Sequence, residues 1–409
     1  MRVCYVVPGR VELVGKHVDY GGGRSLTCAV HLALKATARQ IDGPVLRVVQ
    51  RGRRDAVEMP LTSNARPARA QWSTYAAAVA RRLSRDFPGR TRGVAVELAS
   101  DLPPSAGLSS SAALTVALTW AVADANDLAQ GPGWRAHVPS TLAFAEYAAA
   151  VETGTAFGPF HGDEGVGVRG GAEDHIAILC SREGMLGRFS YVPAREEGWV
   201  PWPRDYAIAI GVSGVRASKT DNARAAYNRA SDTLSWLVSA WNAHTGRSDA
   251  TLAAAYASGS GAARELAAIV ERADGAPVPA AYLAARLAQF REECVEIVPG
   301  VADAFRRGDL SRVGALVDRS QELAERALEN QVPETVFLAR AARERGAVAA
   351  SAFGAGFGGA VWAMVLADGA ERWLTGWKRA YMRRFPRRAA RAQFFVTRPS
   401  APARREPGE

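Results

Sequence analysis

Residues 8–23 read PGRVELVGKHVDYGGG. Cations, acid, a histidine and a run of glycines stand together directly behind the short apolar opening RVCYVV. Lys16 is conspicuous, because of 51 basic residues only Lys16, Lys35, Lys219 and Lys378 are lysines. Set between Gly15 and His17, it reads as a group that holds a negative charge on a substrate.

Outward from this stretch, the first third of the chain reads as strands and turns. SLTCAV, LALKATARQ and VLRVVQR are β-rich pieces separated by Gly, Pro and Asp. GVAVELASDLP alternates across Val94, Val96 and Leu98, as a half-buried strand does, and stops at Pro103 and Pro104. The loop that follows, LPPSAGLSSSAAL at 102–114, runs straight into good helix formers. By itself it fits a plain serine-capped helix, or a helix N-terminus whose unpaired N–H groups and dipole favour a phosphate. The later half is mainly helical, with Tyr227, Ala230, Leu234, Leu237 and Trp241 forming one apolar stripe. Pro and Trp interrupt the pattern in EEGWVPWPRDY, which sets a lobe boundary near 200.

A second glycine-rich turn, SAFGAGFGGAV, occupies 351–361. It satisfies GxGxxG at Gly354, Gly356 and Gly359, but Asp368 falls only 14 residues on, short of the acid a dinucleotide fold carries about 20 residues later. GxxxxGK[ST] is absent, so neither glycine-rich stretch is a P-loop.

A chain of 409 residues, with 48% hydrophobic and 22% charged positions, suits two lobes with a cleft between them. The net charge of +10 comes from arginine, without the aromatic interleaving of a nucleic-acid surface, and reads as a solvated basic face with a loose tail. Cys4, Cys28, Cys180 and Cys294 are too scattered for a zinc site and read as reduced thiols. No apolar run is long enough for a signal peptide or a membrane span, so a cytoplasmic protein with no nucleic-acid or membrane partner is expected.

In their order, 8–23, 102–114 and 351–361 resemble the three signature motifs of the GHMP kinases (galactokinase, homoserine, mevalonate and phosphomevalonate kinases). They look most like the galactokinase branch, whose first motif is close to PGRVNxIGEHxDYNxG. GVRGGAEDHIAIL is similar to the galactokinase segment reading CGIMDQ, and GVSGVRASKTDNARAAYNRA and WSTYAAAV also fit.

The resemblance implies an α+β, two-lobed kinase. Its N-terminal lobe (1–200) would be ribosomal-protein-S5-domain-2-like, its C-terminal lobe (201–396) ferredoxin-like, and 397–409 a disordered tail. ATP and a sugar would meet in the cleft. The phosphates would lie on Pro104, Ala106, Gly107, Leu108, Ser109, Ser110, Ser111 and Ala112, with Mg²⁺ on Ser111 and Glu152. Asp174 would accept the sugar hydroxyl proton beside Arg10, and His17, Asp19, Gly171 and Tyr227 would contact the sugar. The segment TGTAFGPFHGDEGVG (153–167) is longer than the galactokinase spacing and is expected to be a loop over the cleft mouth; His161 and Asp163 within it are too few for a metal site.

Three departures bear on the acceptor. Lys16 replaces a glutamate that accepts hydrogen bonds from sugar hydroxyls, MDQ becomes Glu173, Asp174 and His175, and the asparagine after DY is Gly21. A lysine has three donors and no acceptor. The expected acceptor is therefore a sugar or cyclitol with a phosphate or carboxylate at the C6-equivalent position, phosphorylated at the C1-equivalent hydroxyl. The alternatives are a galactokinase acting on neutral galactose and a non-catalytic sugar- and ATP-binding regulator. Such regulators lack residues of the GLSSSAA loop, which is complete here.

Overall fold

The computed structural model describes every residue except 1, 53–55, 68–71, 90–91, 105, 216–220, 273–274 and 408–409; of 221–224 the backbone alone is described. Apolar residues dominate Arg2–Val14 (β1) and Arg24–Ile41 (β2), and the two pair antiparallel along most of their length. From Tyr5 onward β1 is buried on both faces. Two register shifts, at Pro8/Arg10 and Glu12/Val14, interrupt the pairing. Bulges of this kind re-aim side chains, and here they flank Arg10 and Glu12. SLTCAV and LALKATARQ, which read as separate pieces, are one continuous strand, because neither glycine nor proline stands between them to break the ladder.

Val45–Gln50 (β3), Ala56–Pro60 (β4), Gly93–Ser100 (β5), Met185–Ser190 (β6) and Arg195–Pro201 (β7) complete the front of this sheet. Its order is β12-β1-β2-β5-β3-β4, with β6 and β7 joined through β2, where β12 is Arg404–Pro407. The helix Ser110–Ala125 packs on β1, β2 and β5 and is flanked by the helices Ser73–Asp86 and Thr141–Thr153. The presence of β12 corrects the expectation of a loose tail: residues 404–407 pair with Val3–Val6 of β1, so the chain end returns to the first lobe.

Between Pro201 and Tyr206 the chain leaves this sheet for a second one. Tyr206–Val212 (β8), Ala349–Phe353 (β9), Ala360–Leu366 (β10) and Gln393–Thr397 (β11) form an antiparallel sheet ordered β11-β8-β10-β9. The helices Pro333–Glu344 and Ala370–Arg384 precede β9 and follow β10, giving the βαββαβ order of a ferredoxin-like lobe. Leu338, Trp377 and Tyr381 form its core against β8 and β10.

The helices between Asp221 and Glu292 gather around another apolar cluster, in which Leu234, Leu237, Trp241, Leu283 and Phe290 enclose Val18 of the first motif. Ala230, Leu234, Leu237 and Trp241 are buried as their helical spacing predicts, while Tyr227 is half-buried at the edge of a pocket.

Of residues 153–167 only Thr153 lines the pocket; the rest of the segment lies against its own lobe. Phe157 and Phe160 pack on Tyr147 with ring centroids 5.5 and 5.9 Å away, and Phe160 also meets Phe87 at 5.3 Å. Arg82 Nη1 donates to Thr155 O at 2.8 Å and Arg81 Nη2 to Gly165 O at 2.8 Å, which fixes the segment on its own lobe. Among the described residues no helix is long and apolar enough to cross a membrane, and all four cysteines are free thiols.

Candidate active site

The bulged part of β1 turns Arg10 and Glu12 toward a pocket that both glycine-rich loops approach. Gly107 has φ +78° and Gly354 φ +77°, a region that favours glycine. A Cβ on Gly354 would sit 3.0 Å from Gly107 O and 3.2 Å from Arg10 Nη2, so the two loops close on Arg10 with no room for a side chain. Arg10 donates through Nη1 to Gly107 O, and through Nε (2.8 Å) and Nη2 (2.6 Å) to Asp174 Oδ1. Burial pulls the Arg10 pKa down, but Asp174, Glu173 and Glu12 outweigh it and leave the pKa raised. Arg10 stays charged. Asp174, in the first turn of the helix Glu173–Cys180, keeps its side chain 30% exposed and therefore reachable from the cleft.

His17, at φ +56°, turns its ring into the same pocket. Its Nε2 lies 3.1 Å from Ala355 O, which can only accept, so Nε2 carries the proton and Nδ1 accepts from the Tyr20 hydroxyl at 3.1 Å. Burial, then the Arg286 charge, lowers the His17 pKa to about 3, and the ring is neutral. The Tyr227 ring stands 5.3 Å from His17. Asp19 Oδ2 accepts from Glu173 N at 3.4 Å and lies so close to Gly171 that any Cβ there would strike it. The two segments meet only because residue 171 is glycine. Burial, then the Asp174 charge, raises the Asp19 pKa to about 6.

Two further carboxylates line the pocket. Glu12 is 3% exposed; its Oε2 accepts from Gly354 N at 3.2 Å, and its Oε1 has no hydrogen-bond partner among the described residues. Burial raises its pKa to about 7, against the opposing charges of Lys16 and Arg10. Glu173, also buried, is raised well above the usual range by burial, then by Glu12 and Asp19. Glu173 is one of the three departures from the galactokinase pattern, and Glu12 is a further one: it stands where that pattern carries asparagine.

Pro104 to Ala112 lead into the helix Ser110–Ala125, with residue 105 outside the described residues. Ser109 precedes the helix in a left-handed conformation (φ 60°), and its buried Oγ has no hydrogen-bond partner among the described residues. An orphaned hydroxyl at the start of a sixteen-residue helix suits an anionic ligand such as a phosphate. Thr115 Oγ1 donates to Ser111 O at 3.1 Å and to Glu152 Oε2 at 3.1 Å, which brings Ser111 and Glu152 to one neighbourhood. Glu152 Oε2 also lies 3.2 Å from His175 Nε2. A carboxylate and a hydroxyl are hard oxygen donors, and few protein ligands suffice for Mg²⁺, which completes its shell with phosphates and water. Among the described residues no group of three His, Cys, Asp or Glu side chains could hold a metal by itself.

Lys16 is not in this pocket. It is 1% exposed, and its Nζ donates to Ser320 Oγ at 2.7 Å; Ser320 in turn donates to Glu293 Oε1 at 2.5 Å. Glu293 Oε2 accepts from Gly15 N at 2.9 Å, and Gln289 Nε2 donates to Lys16 O at 2.9 Å. The ammonium is thus held by Ser320 behind the pocket wall, where its charge opposes the burial-driven rise in the Glu293 and Glu12 pKa values. The expectation that it meets an anion on the acceptor is corrected.

Three family profiles match the chain: the GHMP kinases N terminal domain at 74–159, the galactokinase galactose-binding signature at 2–39 and the GHMP kinases C terminal domain at 301–382. The chain belongs to the GHMP kinases. Within this family it is similar to the galactokinase of Chloroflexus aurantiacus, 40% identical over 112 residues that make up 27% of this chain and 28% of that protein. The galactokinase of Actinobacillus pleuropneumoniae is 32% identical over 111 residues, 27% of this chain and 29% of that one. These matches span less than a third of either relative. The crystal structure of Lactococcus lactis galactokinase complexed with galactose superposes with a TM-score of 0.80 over 98% of this chain and 95% of that one. At 20% identity that likeness is one of fold, and it is the two-lobed GHMP kinase fold.

Proposed function

We propose that this GHMP kinase is a sugar kinase of galactokinase type, which uses ATP and Mg²⁺ in the cytoplasm to phosphorylate the C1-equivalent hydroxyl of its acceptor. The observation that carries this reading is Arg10, which spans from Gly107 O in the serine-rich loop to the carboxylate of Asp174. Phosphoryl transfer needs in-line positioning and charge neutralisation more than covalent help, and Arg10 supplies both between a phosphate loop and a proton acceptor.

In the reaction the acceptor oxygen bonds the γ-phosphorus, the bridge between β- and γ-phosphates breaks toward ADP, and the hydroxyl proton passes to Asp174. A carboxylate is too weak a base to strip a free alcohol, so the proton moves late, once the oxygen bonds phosphorus. Arg10 steadies the attacking oxygen and the moving phosphoryl group. Ser109 and the first N–H groups of its helix hold the triphosphate. Ser111 and Glu152 would hold Mg²⁺, which would supply charge neutralisation at the phosphate oxygens. His17, Asp19, Gly171 and Tyr227 shape the acceptor end.

With Lys16 turned away, the one Lys or Arg among the described lining residues is Arg10, already engaged by Asp174, so little supports the expected anionic sugar or cyclitol phosphate, and a neutral hexose such as galactose meets no electrostatic objection. The test is ADP release with ATP, Mg²⁺ and a panel of neutral, anionic and amino sugars. ADP formation that depends on an acceptor, with a new 1-phosphate by phosphorus NMR, is expected. No release above the acceptor-free rate across the panel would overturn the kinase reading.

A further inference from the structure

We propose that the acceptor carries a protonated amine, received in the pocket by Glu12 and Glu173 with Asp19. The inference rests on reading this pocket as the acceptor site. Its basis is charge inventory and one orphaned atom. Glu12, Asp19, Glu152, Glu173 and Asp174 line the pocket, and Arg10 is the one Lys or Arg among its described lining residues. Arg10 is engaged by Asp174 and Gly107 O. Lys16 is spent on Ser320 and faces Glu293 as well as Glu12. Arg286 donates to His17 O, Gln289 and the Tyr20 hydroxyl, behind the pocket.

Glu12 Oε1 is therefore a buried acceptor on the pocket wall without a donor among the described residues. The Glu173 carboxylate likewise takes no hydrogen bond among the described residues; its contact with Asp19 is made by its backbone N–H. A buried polar atom left unsatisfied is costly, and an ammonium brings three donors together with the missing positive charge. The raised pKa values of Glu12, Asp19 and Glu173 agree, since an empty pocket of this composition takes up protons where a bound cation would displace them. A sugar hydroxyl could supply a donor but not the charge.

The test uses the full chain with the monoamino analogues of D-galactose substituted at C2, C3, C4 and C6, each against D-galactose and the matching N-acetyl sugar. Kd is measured by calorimetry at pH 7 and kcat/KM by ADP release. At least one amino sugar should bind about ten- to a hundredfold tighter than both neutral counterparts. Glu12→Gln, which keeps shape and removes charge, should erase most of that advantage; Glu173→Gln serves as a second variant should the first fold poorly. Amino sugars no better than galactose, or an advantage untouched in both variants, overturn the proposal. An amine preference in binding without turnover supports it and sinks the kinase reading. Turnover of galactose with no amine preference does the reverse.

Discussion

Arg10 grips a single oxygen of Asp174, Oδ1, with Nε at 2.8 Å and Nη2 at 2.6 Å. Oδ2 makes no hydrogen bond among the described residues and is the oxygen left for an acceptor proton. Asp174→Asn preserves the shape and removes the base. It should lower kcat by about 10²–10⁴-fold while ATP binding stays close to normal. Near-normal turnover in the variant would remove Asp174 from the proton-transfer step.

The Ser111 carbonyl shares Thr115 Oγ1 with Glu152, and on the proposed function the Ser111 hydroxyl reaches Mg²⁺. Ser111→Ala should raise the Mg²⁺ concentration needed for half-maximal turnover roughly tenfold and leave acceptor affinity alone. Titrating Mg²⁺ at saturating ATP separates the two. A rise in acceptor KM with an unchanged Mg²⁺ requirement would place Ser111 in the wrong role.

Lys16 gives a stability prediction instead of a specificity one. Lys16→Met removes the buried ammonium that donates to Ser320 and whose charge acts on the buried Glu293 and Glu12, and losing a buried hydrogen bond to a charged group costs about 1–3 kcal/mol. Chemical denaturation should show that loss. Adding Glu293→Gln to the variant should restore part of it. An undisturbed denaturation midpoint in Lys16→Met would mean that the ammonium is not holding this cluster together.

The same residue shows where sequence reading stops. The partner Ser320 lies 304 positions away and the Glu293 that binds Gly15 lies 278 away, so nothing local marks Lys16 as internal. What local chemistry dictates was legible: the serine-rich loop opening a helix, the spacing of Leu234, Leu237 and Trp241, and the glycines that let the two loops meet. The tail misled because RREP has no apolar residue to signal a strand; β12 forms through backbone pairing with the edge of β1. The 153–167 segment misled in the opposite way. Its length suggested a loop over the cleft mouth; it is a loop, but Phe157 and Phe160, legible as aromatics, pack on Tyr147 and Phe87 of its own lobe, contacts that the sequence does not reveal.

Glu12 carries the last prediction, and its sign follows from burial. Its carboxyl is raised from an ordinary 4.5 to about 7, by burial first, with Lys16, Arg10 and the Gly354 N–H opposing and Glu293 reinforcing. The folded protein thus holds a proton that the unfolded chain has released between about pH 4.5 and 7, and the stability linked to that proton is lost as pH rises through the folded pKa. Gln resembles the protonated acid. Glu12→Gln should therefore match the parent below about pH 4.5 and exceed it in stability by about 3 kcal/mol above pH 7, taking about 1.36 kcal/mol for each of the roughly 2.5 pKa units between 4.5 and 7. Urea denaturation of both proteins at pH 5 and pH 8 checks this. A stability difference that is equal at the two pH values, or one that favours the parent at pH 8, would mean that Glu12 is ionised and satisfied in the fold, and the orphaned Oε1 would lose its significance for the acceptor.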